Sequence, residues 1–243
     1  MVILTYNDTY DGFLSALFEA FLPPRIELCI RAESTLEQSL LFEMRPVEED
    51  RERVRRITAG MERLCADLPN TVYLAWLSHL PGIEDDILES LRIGFRDNRN
   101  PIDMRYETCV GHMCAASKKT GFEAHRFKGY IRLQKTGDDL YIADIEPDYE
   151  ILPLMGHHFA TRFGGQRIII RDLKRRKAII AQDGRWHIAD LRPEECVPIQ
   201  ADRTYEDYWK RYFKALSNPA RENRKLQQHF VPKKYRKHIV EFE

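Results

Sequence analysis

Two histidines and a scatter of cations carry the chemistry open to this chain. In LYIADIEPDYEILPLMGHHFATRF, His158 and Arg162 stand four residues apart, which puts both side chains on one face of a helix. His125 opens the segment HRFKGYIRLQ, where Arg126, Lys128, Tyr130 and Arg132 take alternate positions. Imidazole titrates near neutrality, so His158 or His125 could move a proton while Arg162, Lys128 or Arg126 steadies a phosphate. Read as a strand, the alternation gives a face whose cations meet phosphates and whose Tyr130 ring stacks a base. Plainer roles stand beside these: a satisfied interior histidine with an arginine at its helix end, and a solvated outer strand. His158 and Arg162 share a helix face with Ile151, Leu154, Met155 and Phe159, and burying them unpaired would cost several kcal/mol. Each therefore needs a carboxylate, a carbonyl or a ligand.

A second cationic region lies at the end of the chain. Between Lys210 and Lys237, the residues Lys210, Arg211, Lys214, Arg221, Arg224, Lys225, Lys233, Lys234, Arg236 and Lys237 face a single acid, Glu222. That density attracts a polyanion. The net charge is zero, but residues 1–123 hold 14 Lys and Arg against 21 Asp and Glu, and residues 124–243 hold 24 against 17. Tyr205, Tyr208, Trp209, Tyr212, Phe213 and Leu216 fall on one helical stripe, a spacing that reads as a buried face before it reads as a base-stacking platform.

Other chemistries find little support. The chain lacks GxxxxGK[ST], GxGxxG after a strand, GxSxG and HExxH, so no cofactor is expected. His157 and His158 point about 100° apart on a helix, and Cys109, His112 and Cys114 lack the spacing and the fourth ligand of a zinc site, so no metal is expected either. The five cysteines are scattered, which suits thiols in a reducing compartment and cannot supply a radical-type iron–sulfur triplet. No apolar run of about 18 residues and no secretory start occurs, and the expectation is a cytoplasmic protein without membrane contact.

The elements that must position these residues predict an α+β fold. Val2–Tyr6 reads as a strand and FLSALFEAF as a helix, with a second strand near 26–30. Amphipathic patterns over 47–64, 72–80 and 83–91 predict a helical subdomain, and a short helix is possible near 109–116. Beyond a boundary near 120, the order β-β-α-β-β-β predicts a mainly antiparallel sheet of about five strands with one packed helix. Its first strand is placed at 126–134, and Asp183-Gly184 joins the last two. Basic C-terminal helices follow, the second starting at Asn218-Pro219. The organisation expected is 1–120, 121–200 and 201–243, integrated in one globular unit.

Three blocks, TYNDTYDGFLSALFEAF, HRFKGYIRLQ with LYIADIEPDYEILPLMGHHFATRF, and WKRYFKALSNPARENRKLQQHFVPKKY, resemble the bacterial family labelled probable DNA metabolism protein. That family is similar to the domain of unknown function appended to UdgX-type uracil-DNA glycosylases. Nothing here resembles the glycosylase portion, so uracil excision is not implied. The resemblance implies action beside a radical-SAM protein of DNA modification or repair. Asp11, Gly12, His125, Arg126, Phe127, Lys128, Gly129, Pro147, Asp148, His158, Phe159, Arg162, Phe163, Trp209, Tyr212, Phe213, Arg221, Asn223, Gln227, Pro232 and Tyr235 match the family's motif positions. Arg236 departs from the aromatic residue that relatives often carry there.

Three functions are expected in turn. The first is a DNA-binding accessory protein of a repair or modification system. The second is an enzyme on damaged or modified DNA using His158 or His125 with Arg162. The third is an interaction scaffold that never touches nucleic acid.

Overall fold

The computed structural model describes residues 2–23, 28–35, 42–137, 139–196, 204–216 and 223–239. The chain divides into two compact units, Met1–Thr120 and Gly121–Glu243.

In the first unit, β1 (Val2–Tyr6) is buried along its whole length, as an apolar β-branched run should be when both faces are covered. It is the middle strand of a parallel sheet ordered β2-β1-β3, with β2 at Leu28–Ala32 and β3 at Glu43–Pro46. Helix α1 (Tyr10–Glu19) starts at Thr9, whose hydroxyl accepts the Gly12 N–H at 2.9 Å. Helix α2 (Arg51–Leu64) starts at Asp50, which accepts from the Glu52 and Arg53 amides. Helices α3 (Leu68–Trp76) and α4 (Ile83–Asp97) complete the helical layer, and Leu4, Phe13, Leu17, Met61, Val72, Ile87 and Leu91 form its core. Tyr6 ties sheet to helices, because its phenol donates to Glu84 at 3.3 Å and accepts from the Trp76 indole at 3.0 Å. Burial pushes the Glu84 carboxyl above the ordinary carboxylate range.

Helix α5 (Thr108–Tyr130) carries the chain from the first unit into the second, and it corrects the sequence reading. The first half of the strand expected at 126–134 is the end of this 23-residue helix, and the sheet's first strand begins only at Gln134. Its inward positions are Val110, Met113, Ser117, Thr120, Glu123, Ala124 and Phe127, which recur every three or four residues. Three of them are polar, and this hides the helical period.

The second unit is built on a sheet ordered β4-β5-β6-β7-β8. Its strands are β4 (Gln134–Gly137), β5 (Leu140–Ile145), β6 (Arg167–Asp172), β7 (Lys177–Gln182) and β8 (Arg185–Asp190). All neighbours run antiparallel except β5 and β6, which are parallel and joined through helix α6 (Leu152–Arg162). Asp183 and Gly184 both take positive φ, 51° and 73°, as a two-residue hairpin of this twist requires. Helices α7 (Thr204–Leu216) and α8 (Arg224–Phe230) and a short 3₁₀ turn at Lys233–His238 follow. Asn223 caps α8 by accepting the Leu226 N–H at 2.9 Å, whereas the start expected at Asn218-Pro219 lies outside the described residues. Ile145, Ile151, Leu152, Met155, Phe159, Ile168, Ile170 and Ile179 fill the core, with Phe127 and Tyr235 closing it.

Helix α6 sits unusually close to β8. A Cβ at Gly156 would lie 2.2–2.6 Å from three atoms of the Trp186 ring. Gly156→Ala is therefore expected to force the helix and strand apart and to cost about 1–3 kcal/mol. Urea unfolding should show a lower midpoint at an unchanged slope.

Candidate nucleic-acid interface

Helical geometry sorts the predicted basic residues differently from a strand. On α5, Phe127 points inward, while Arg126 and Lys128 lie 100° to either side of it and so flank opposite edges of the buried face. Arg126 is exposed, and its charge acts on the phenols of Tyr130 and Tyr235. Lys128 acts instead on His158. Tyr130 is half-buried, its ring against Phe127 and Tyr235 and its hydroxyl donating to the Phe230 carbonyl. Arg132 turns back to the helix end, donating to the Gly129 carbonyl at 2.8 Å. The four residues therefore do not form one face.

Helix α6 buries Leu152, Met155, Gly156, Phe159 and Ala160. His158 is half-buried beside that stripe, and Arg162 is exposed with its guanidinium 5.7 Å from the Phe163 ring centre. The sequence reading placed both side chains with the apolar residues. The close seat of Gly156 on Trp186 turns the helix so that they stand at its margin. The His158 Nε2 is covered and has no hydrogen-bond partner among the described residues. Partial desolvation, followed by the positive charges of Lys128 and Arg162, holds its pKa below the ordinary imidazole value. The nearby charges of Lys128 and Arg162 thus disfavour the protonated imidazole. His125 is exposed on α5, one turn before Lys128.

Several basic side chains of this unit are held in ion pairs. Lys234 pairs with Asp148, and Lys237 with Glu146 at 2.6 Å. Arg175 donates to Asp172 at 3.0 Å and to the carbonyls of Pro147 and Asp148, and Lys177 meets Glu150 at 2.6 Å. Arg171 holds Asp144 through two bonds, of 2.6 and 2.8 Å, between the parallel strands β5 and β6. These contacts clamp the segment 144–150. Arg211, Lys214, Arg224, Lys225 and Lys233 are exposed, Lys210 is half-exposed, and Arg221 lies outside the described residues.

Sequence reasoning missed Glu123 as the hub of this clamp. Its carboxylate is 4% exposed and accepts the Asp148 and Tyr149 amides at 3.0 and 2.8 Å, as well as the Tyr235 hydroxyl. The signal available was the alternation Glu146, Asp148, Glu150, an acidic counterpart to the basic tail. A cavity of about 10 Å³ beside Tyr235 and His238 is no larger than one water.

Three residues of the α7 stripe depart from the sequence reading: Tyr208, Tyr212 and Leu216 are 60%, 56% and 66% exposed rather than buried, while the side chains of Tyr205, Trp209 and Phe213 lie outside the described residues.

In the first unit, a cavity of about 340 Å³ lies beside Glu19, Arg45, Glu49 and Arg53, and both arginines are already paired with Glu19. His112 reaches Asp86 at 3.1 Å, and burial pushes the Cys114 thiol up, opposite to what a thiolate ligand needs. Among the described residues, no group of three or more His, Cys, Asp or Glu could hold a metal ion. No described helix is long and apolar enough to cross a membrane.

The fold is of the α+β class, with a mostly antiparallel five-stranded sheet and helices at the C-terminal end. The chain belongs to the family of the domain of unknown function DUF4130, which it matches over residues 81–241, from the turn before α4 through the C-terminal 3₁₀ turn. No curated protein and no solved structure matches it.

Proposed function

We propose that this chain is a DNA-binding accessory protein of a repair or modification system in the cytoplasm. The observation that supports the reading is the set of exposed basic side chains in this unit, together with Lys128 and Arg162, whose charges act on His158. A phosphate beside Lys128 and Arg162 offsets both charges and raises the basicity of the neighbouring imidazole. The exposed cations Arg126, Arg211, Lys214, Arg224, Lys225 and Lys233 add to the attraction of the same half of the chain for a polyanion. A radical-SAM protein as partner rests on the sequence resemblance, and co-purification of the two proteins tests it.

The test of DNA binding is affinity against salt. Several neutralised phosphates give a linear fall of log K with log salt, whereas absent or salt-insensitive binding would remove the proposal.

The pH dependence follows from the lowered His158 pKa. A bound phosphate favours the protonated ring, so binding takes up a proton and tightens as pH falls through the bound-state pKa. The window runs from the bound-state pKa down to the lowered free-state value. His158→Gln should flatten that profile while leaving affinity above neutrality nearly unchanged.

A second reading rests on the lowered pKa of the same imidazole. A ring kept neutral by nearby cations is suited to act as general base beside a phosphate once substrate binding opens access to it. His158→Gln should then abolish turnover of a damaged or modified DNA with the fold intact, and unchanged turnover would remove His158 from that role.

A further inference from the structure

We infer that the C-terminal 3₁₀ turn is an autoinhibitory latch, in which the carboxylates of Asp148 and Glu146 occupy the ammonium groups of Lys234 and Lys237 until a phosphate backbone displaces them. The inference rests on the DNA-binding reading above and adds its regulation. Lys234 and Lys237 stand three residues apart on the turn Lys233–His238, the spacing at which 3₁₀ side chains eclipse. Their partners stand on either side of Pro147, so one short segment masks both lysines: Lys234 pairs with Asp148, and Lys237 meets Glu146 at 2.6 Å. The His238 ring adds a weaker approach, its Nε2 3.8 Å from the same Glu146 oxygen. The hydrogen bond and charge of Lys237 hold the Glu146 carboxyl below the ordinary carboxylate range, which keeps it an anion.

What seats the turn is separate from what masks its charge. Tyr235 and Ile239 are buried, the Tyr235 ring packs on Phe127 at a 5.1 Å centroid distance, and its hydroxyl donates to Glu123. These contacts keep the turn in place while the lysines change partner. The ion pairs are the exchangeable part. Lys234 and Asp148 are 53% and 43% exposed, and Lys237 and Glu146 are 64% and 36% exposed, so water screens both pairs and each holds little free energy. Arg171 and Asp144 are by contrast 9% and 11% exposed and joined by two bonds, and that pair stays closed. An anion approaching from solvent therefore meets two lysines whose charge is cancelled where they stand. It gains their contacts only by displacing two carboxylates, which then repel it. A strand already held by other cations of the unit presents its phosphates at high local concentration, and such a strand opens the latch.

The experiment measures the affinity of the full chain for a DNA duplex by fluorescence anisotropy over a salt series. Glu146→Gln with Asp148→Asn should tighten binding on the order of tenfold at low salt and steepen the fall of log K with log salt by about two, one contact for each freed lysine. Asp139→Asn with Asp183→Asn removes the same charge at two exposed positive-φ positions that asparagine tolerates, and should tighten binding by about twofold at most. Adding Lys234→Ala and Lys237→Ala to the neutralised acids should cancel the gain, whereas the same lysine changes in the parent should matter little. If the Glu146 and Asp148 double variant loses its folded signal, Glu146→Gln alone frees Lys237 and should steepen the slope by about one. Equal tightening by both acid pairs would mark a general change of charge and overturn the latch. Unchanged affinity in the Glu146 and Asp148 variant overturns the latch while leaving DNA binding intact. No binding by the parent or any variant overturns the DNA-binding reading, and the latch with it.

Discussion

A variant carrying Lys128→Glu and Arg162→Glu is expected to bind DNA on the order of a hundredfold more weakly than the parent at low salt. Each substitution removes an attraction to phosphate and adds a repulsion, and neither side chain supports the core: Arg162 is exposed, and Lys128 lies at the edge of the buried face. The unfolding midpoint should therefore stay close to that of the parent. The salt dependence separates a local effect from a general change of charge, because two lost phosphate contacts lower the slope of log K against log salt by about two. Lys234→Ala is the matched control. Lys234 already meets Asp148, so its loss should change affinity much less and leave the slope nearly intact. An unaltered affinity in the double variant would place the interface elsewhere in the chain.

That comparison also shows what could be read from residue types and what could not. The strands β5 to β8 and helix α6 follow from apolar runs bounded by turn residues, with the Asp183-Gly184 hairpin where its φ requirement predicts. The end of α5 was illegible because a helix and a strand share the pattern when buried positions include Ser117, Thr120 and Glu123. Period two then looked better than period three or four. The edge strand β3 has only Met44 half-buried between exposed Glu43 and Arg45, so it carries no apolar signature. In the candidate site, His158, Arg162 and Lys128 were visible by type, but their grouping depends on helix rotation, which Gly156 against Trp186 sets. The division of the basic tail was hidden for another reason: a lysine in sequence shows its charge and not its partner, and Asp148 lies 86 residues from Lys234.

Glu123→Ala is expected to cost about 3 kcal/mol, because it removes the buried acceptor of the part-buried Asp148 and Tyr149 amides and leaves the Tyr235 hydroxyl only its longer 3.4 Å approach to Asp148. The side chain is 4% exposed, so no water can replace it without opening the core. Glu123→Gln keeps one acceptor oxygen but turns an amide group toward a backbone N–H, which should recover part of the loss. Tyr235→Phe removes a bond to a charged acceptor, worth about 1.5–3 kcal/mol, while leaving the ring on Phe127 at a 5.1 Å centroid distance. Chemical denaturation of the two single variants and of the pair measures the coupling, and additive losses would mean that Tyr235 is held by its ring rather than its hydroxyl. A strong coupling identifies Glu123 as the latch of the C-terminal segment. The same geometry argues against a catalytic role for this carboxylate: both its oxygens already accept backbone amides and one also the phenol, so a substrate proton would find them engaged.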